Sequence, residues 1–123
     1  MSNFSWGARS LKNLSGVHPD LVAVCNRALE ISRVDMVVIE GVRSKERQKE
    51  LVAKGASKTM NSRHLTGHAV DIAPWPITWE KQAFIPIVEA MKQAAEELGI
   101  DVTHGHDWGW DSPHHELSRK TYP

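Results

Sequence analysis

The sequence predicts an α+β fold: a single small domain with a mainly antiparallel sheet and flanking helices. Three observations lead there. The chain has 123 residues, a length that suits one compact domain around one modest core. Two segments, 19–32 and 78–98, carry apolar residues at helical spacing. The remaining apolar runs are short, β-branched or alternating, and Gly or Pro soon closes each of them. That pattern suits strands joined by tight connections.

The elements follow in order. The first helix is predicted over Pro19–Ser32, where Leu21, Val24, Cys25, Ala28, Leu29 and Ile31 share one face. Pro19 fits the first helical turn, where a missing N–H costs nothing. Cys25 sits in the apolar stripe and reads as a small buried hydrophobe rather than a nucleophile. Residues 36–42, MVVIEGV, read as a strand ended by glycine. Ser44 then opens a helix, SKERQKELVAK, that Gly55 stops. Its charges read as a solvated face. A polar loop, GASKTMNSR, leads into a second strand, AVDIA, at 69–73. Pro74 and Pro76 break it. A long helix is predicted within Thr78–Leu98, ending at Gly99. Pro86 implies a kink in it, or an irregular turn with the true helix starting there. IDVTH reads as a third strand, HDWGWDSP as a loop and HHEL as a last short strand.

Composition narrows the function. Lys plus Arg equals Asp plus Glu, at 15 each. A global basic field is therefore absent, which argues against a nucleic-acid binder. One cysteine allows no intramolecular disulfide, so the fold does not depend on an oxidising compartment. No apolar run is long enough for a signal peptide or a membrane span. The expectation is a soluble product of the cytoplasm. Seven histidines and five tryptophans are many for this length, and most fall in the second half beside aspartates. Histidine is the commonest metal ligand, so a site is expected there.

The run His64-Leu65-Thr66-Gly67-His68-Ala69-Val70-Asp71 places a loop histidine, a glycine turn and a strand aspartate in succession. Such a loop–strand pair can aim an imidazole and a carboxylate at one point. Catalytic zinc sites commonly use three protein ligands and a water. On the strand, Ala69 and Asp71 share a face while Val70 and Ile72 point the other way. A third ligand is best sought in Asp111-Ser112-Pro113-His114-His115-Glu116-Leu117. His114 and His115 are strand neighbours, so they cannot both face the metal. His114 shares its face with Glu116, which could orient it. Asp111, across a proline turn, could stand near metal-bound water as a general base. The plainer alternatives are a hydrogen-bonded His64–Asp71 pair and a turn role for Asp111. His104 and His106 read as surface or satisfied strand residues. Asp107 could anchor the adjacent loop. Trp108 and Trp110 could line a cleft or cap a small core.

The run SRHLTGHAVDIAP resembles the S-x-H-x-x-G-x-A-x-D motif of the zinc D-alanyl-D-alanine carboxypeptidase and dipeptidase superfamily, which shares its fold with the hedgehog signalling domain. PDLVAVCNRALEIS, IEGVRSKERQ, GHDWGWD and DSPHHEL are similar, in the same order, to its bacteriophage branch, the L-alanyl-D-glutamate endopeptidases. The resemblance runs from about residue 15 almost to the end. It implies one zinc ion held by His64, Asp71 and His114, with Asp111 as catalytic base. It implies that Arg43 lines the substrate site, where its charge suits a substrate carboxylate or the developing oxyanion. Gln48 could point towards the site as well. The segment between Trp108 and Asp111 is very short compared with one phage member of that branch, so any role tied to that loop does not carry over. His68 and His115 occupy variable motif positions.

The implied reaction is hydrolysis of the L-Ala–D-Glu bond of bacterial peptidoglycan by a phage endolysin. Residues 1–123 would form one catalytic domain with no separate wall-binding domain. The implied partner is peptidoglycan alone, with no nucleic acid, no membrane insertion and a monomeric enzyme. Synthesis in the host cytoplasm and holin-type release would bring it to the wall. Two rivals stay open. One is D-Ala-D-Ala carboxypeptidase activity, from the shared superfamily motif. The other is a non-catalytic, zinc-stabilised peptidoglycan-binding module.

Overall fold

The structure is a computed structural model that describes residues 4–123. Helices α1 (Ala8–Leu14), α2 (Pro19–Ile31), α3 (Lys45–Ala53) and α4 (Lys81–Leu98) surround strands β1 (Met36–Glu40), β2 (Ala69–Pro74), β3 (Val102–His104) and β4 (His114–Leu117). Among the described residues these strands form one antiparallel sheet in the order β1-β2-β4-β3. The α+β class and the antiparallel sheet agree with the sequence reading.

Strand alternation divides the sheet into two working faces. Val38, Val70, Ile72 and Leu117 join the main core with α2 and α4. Leu21, Val24, Cys25 and Ala28 of α2 and Ile87, Met91 and Ala94 of α4 bury the matching stripes. The opposite face carries Asp71 on β2, in register with His114 on β4 and Glu40 on β1. The core thus fixes the strands, and the strands set three polar residues side by side on the opposite face, beyond the end that Phe84 covers.

Local chemistry fixes the element ends. Pro19 opens α2, and His18 Nδ1 accepts from the Asp20 amide. Ser44 Oγ accepts from the Arg47 amide at the start of α3. Gly99 ends α4 in the left-handed region. Two differences from the sequence reading have clear causes. Helix α4 starts at Lys81, after an extended Glu80, and runs unbroken through Pro86. Proline there loses one amide hydrogen bond near the helix start. Burial of Phe84, Ile87 and Val88 on the same stretch holds the helix together. Helix α1 was not foreseen, because polar contacts attach it rather than an apolar stripe. Ser10 Oγ accepts from the Val38 amide at 3.0 Å, and Asn13 Nδ2 donates to the Val38 carbonyl at 2.8 Å. The helix thereby satisfies groups that an edge strand would leave open.

Because Leu21 is fully buried in the main core, Leu21→Ala should cost about 2–5 kcal/mol of stability. Ile85→Ala, on the exposed side of α4, should cost no more than about 0.5 kcal/mol. Urea unfolding curves measure both, and equal midpoint shifts would contradict this placement of the core.

Candidate metal centre

The site begins with a tight turn. Residues Arg63–Thr66 form a single 3-10 turn, capped by Ser62, whose Oγ accepts from the His64 amide at 3.2 Å. Gly67 closes it at φ 77°, and its backbone packs so close to Gly16 that a Cβ would lie 2.7 Å from the Gly16 carbonyl oxygen. Arg63 ties the turn to the far end of the chain through the carbonyls of Leu117 and Tyr122. The Arg43 amide donates to the His64 carbonyl at 2.9 Å. His64 is therefore held from both sides before its ring makes any contact.

The ring then meets Asp71. His64 Nε2 lies 3.2 Å from Asp71 Oδ1, and His114 Nδ1 lies 3.2 Å from the same oxygen. The outer nitrogens are tied back. His64 Nδ1 is 2.9 Å from the Gly41 carbonyl oxygen. A carbonyl only accepts, so this nitrogen carries the proton and donates. His114 Nε2 is 2.9 Å from Glu116 Oε1. Burial works against the Glu116 charge. The hydrogen bond and charge of His114, with Arg119 and Arg63 nearby, still hold its carboxyl below the usual range. His114 Nε2 therefore donates to it. These ties leave His64 Nε2, His114 Nδ1 and Asp71 Oδ1 converging.

Three electron-pair donors aimed at one point need a positive charge between them. Burial would raise the Asp71 pKa, but the hydrogen bonds from His114 and His64 outweigh it and hold the carboxyl far below its ordinary value. Burial likewise opposes protonation of His114, yet the hydrogen bonds to Asp71 and Glu116 push its pKa up to about 9. A proton thus takes the place where a cation fits. The three donor atoms lie within 4.8 Å of one another. Metal–ligand bonds of about 2.0–2.2 Å in a tetrahedron place donors roughly 3.3–3.6 Å apart. Two imidazole nitrogens and one carboxylate oxygen are a donor set that suits a divalent ion. His64, Asp71 and His114 could hold such an ion.

The other expected residues take distinct places. Asp111 stands part-buried at the start of the turn into β4, where its carbonyl accepts from the His114 amide at 3.1 Å. Burial raises its pKa and the Asp71 charge adds to this, while His114, His64 and Arg43 pull the other way. A carboxylate with a raised pKa beside the cluster is suited to taking and returning a proton. Arg43 is a tethered charge: Nε and Nη2 donate to the two oxygens of Glu40 at 2.7 and 2.8 Å. Its Nη1 donates to Gln48 Oε1 at 2.8 Å. Gln48 is fully buried and passes the tie on to Ser57 Oγ and the Thr59 carbonyl. It faces Arg43, not the three donors. Trp108 lies against His114, with ring centroids 5.5 Å apart, and against Trp110 at 5.6 Å. Both indoles are exposed, so neither caps a core.

The remaining histidines stay outside the cluster. His104 and His115 pair across β3 and β4 with their Nδ1 atoms 2.8 Å apart. Burial holds both towards the neutral form, His104 down to about 4. His68 bonds to Thr66, and His106 to Ser112. Asp107 anchors its loop to Lys92 at 2.7 Å, as the sequence suggested. The sequence gives no sign of three supports: the Gly41 carbonyl, the Ser62 cap and Gly105. A Cβ on Gly105 would lie 2.2 Å from the Asp111 carbonyl oxygen and 3.0 Å from the His114 Cβ. A side chain there would displace both residues at once.

The raised His114 pKa has a measurable consequence. Below about 9 the ring holds the proton that a metal ion must displace, since the ligand is neutral imidazole. Without metal, this protonation contributes stability that is complete below 6.5 and lost as pH rises through about 9. Metal affinity runs the opposite way and should rise roughly tenfold per pH unit in that window. Calorimetric titration near pH 7 in buffers of different ionisation heat should count about one proton released per ion. Binding without proton release would contradict the arrangement.

Comparison with known proteins follows the same lines. The family model described as phage L-alanyl-D-glutamate peptidase matches residues 1–123. The L-alanyl-D-glutamate peptidase of Escherichia phage T5 is 37% identical, over 98% of this chain and 93% of that protein. The L-alanyl-D-glutamate peptidase of Listeria phage A118 is 28% identical over 94% of this chain, which spans 43% of that longer protein. The crystal structure of the Serratia marcescens L-Ala D-Glu endopeptidase ChiX superposes with a TM-score of 0.92 at 46% identity, covering 99% of this chain and 96% of that one. This chain belongs to the phage L-alanyl-D-glutamate peptidase family.

Proposed function

We propose that this chain is a zinc endopeptidase that hydrolyses the L-Ala–D-Glu bond of peptidoglycan stem peptides, as a phage endolysin does. One observation carries the reading. His64, Asp71 and His114 converge with their outer nitrogens tied back, and Asp111 stands beside them, in a chain of this family. The absence of a Ser or Cys nucleophile motif fits direct attack by water.

When bound, zinc supplies a water acidified towards neutrality and an electrophilic contact for the scissile carbonyl. The protein does the rest. Asp111 accepts a proton as the water oxygen adds to the alanyl carbonyl carbon. It returns that proton to the D-Glu nitrogen as the C–N bond breaks. The products are an alanyl carboxylate and a free amine. Arg43, fixed by Glu40 and Gln48, lends positive charge at the β1 side of the site, suited to a substrate carboxylate or the developing oxyanion. Glu116 keeps His114 Nδ1 aimed inwards.

His64, Asp71, His114 and Asp111 all come from one chain, so the site needs no second copy and the enzyme is read as a monomeric catalytic domain. In this reading it is made in the host cytoplasm and reaches the wall after a holin opens the membrane. No helix among the described residues is long and apolar enough to cross a membrane.

Asp111→Ala should keep one zinc ion per chain and lose about 10²–10⁴-fold in turnover. Purified peptidoglycan, digested with the zinc-loaded protein and read by mass spectrometry, should release peptides that begin at D-Glu, and a chelator should abolish them. Release of D-Ala alone would indicate the carboxypeptidase instead. An unchanged wall would indicate the binding module. Parent-level hydrolysis by the variant would remove Asp111 from the role of base.

A further inference from the structure

Beside Asp111, on the side away from Arg43, the surface falls into a hollow of about 350 Å³. Trp79, Phe84, Lys81, Trp110 and Pro113 line it, and Asp111 forms its edge towards the metal centre. Trp110 is 76% exposed and Trp79 is 65% exposed. Such indoles leave a large apolar area in water. Both are nevertheless braced. Trp79 stacks on Phe84 at 6.1 Å with an interplanar angle of 28°. Phe84 is buried against Val37 and Ala73. Trp110 leans on Trp108, and Trp108 leans on His114. Lys81 Nζ donates to the Gly109 carbonyl at 3.2 Å and fixes the rim. The walls are therefore aromatic faces backed by neighbouring rings, and they share Asp111 with the reacting centre.

We propose that this hollow seats the N-acetylmuramyl sugar that precedes L-Ala in the substrate. The inference rests on the L-Ala–D-Glu reading above. In peptidoglycan the alanyl nitrogen is acylated by the lactyl group of N-acetylmuramic acid. With residue spacings of about 3.3–3.6 Å, the sugar ring lies within two or three such steps of the scissile carbonyl. A group at that distance must meet whatever surface adjoins the site. The two sides of the site differ in charge. The D-Glu side of the substrate is anionic and is assigned here to the Arg43 side, one of the two roles that charge suits, beside its Glu40 partner. The muramyl side is neutral once its carboxyl is amide-bound, and it tolerates the Asp111 edge that would repel a carboxylate. A pyranose has an apolar C–H face that packs on indole, and hydroxyl and acetamido groups that hydrogen-bond at a polar rim. The Trp79–Trp110 hollow offers both, directly beside Asp111.

The test compares two soluble substrates with the same stem tetrapeptide, one carrying N-acetylmuramic acid on L-Ala and one carrying only an acetyl group. The zinc-loaded parent should show a kcat/KM about tenfold higher on the muramyl substrate, with the difference in KM. Trp110→Ala should bring the ratio of the two values towards one. Trp79→Phe, which preserves the stack on Phe84, should retain most of the preference, while Trp79→Ala should not. Equal kcat/KM on both substrates in the parent would overturn the subsite. So would Trp110→Ala and Trp79→Ala lowering both substrates by the same factor. If the zinc-loaded parent cleaves neither substrate, the peptidase reading itself falls, and the subsite with it.

Discussion

The structure is organised around one ionised carboxylate, Asp71, set between two imidazoles that cannot turn away. Burying a charge is costly unless it is compensated at close range. Here two nitrogens at 3.2 Å supply the compensation. Their far sides are held by a backbone carbonyl and a second carboxylate, which decide which ring atom points inwards. Positive charge has to sit at the centre, as protons or as a metal ion. That requirement explains why His114 clings to a proton and why the same three groups are suited to a divalent cation.

Everything that positions this carboxylate is ordinary packing. Asp71 lies between Val70 and Ile72, whose burial fixes the strand and so turns the aspartate outwards. Its neighbour across the sheet is His114, because β2 and β4 are in register there. The turn that delivers His64 is fastened by Ser62, Arg63 and Gly67, and the one that delivers Asp111 and His114 passes over Gly105. The core carries the site, yet the site contributes little to the core. Its polar groups satisfy one another on the face opposite the main core, where Phe84 of α4 covers only the Val37–Ala73 end. The His104–His115 pair, on the core face, shows what burial does to histidine without a carboxylate: both rings stay neutral.

Much of this was legible in the sequence because it depends on local pattern. The alternation of AVDIA separates Asp71 from its apolar neighbours. Ser44, Gly55 and Gly99 mark helix ends through their own chemistry, and HHEL forms the strand its spacing predicts. The three donors were legible as a set because each lies in a short motif. What was hidden depends on contacts distant in sequence. Helix α1 is attached through Ser10 and Asn13 to an amide and a carbonyl of β1. The Gly41 carbonyl that orients His64 carries no side-chain signal. The sequence reading expects Arg43 at the substrate site, but no local pattern announces its tether to Glu40 and Gln48.

Hydrogen bonds from outside the cluster decide which atoms would meet a metal ion. Anomalous diffraction at the zinc edge from crystals of the zinc-loaded protein tests this most directly. One ion is expected at about 2.0–2.2 Å from His64 Nε2, Asp71 Oδ1 and His114 Nδ1, with a further position open to water. An ion bound through His114 Nε2, or seated at the His104–His115 pair, would contradict it.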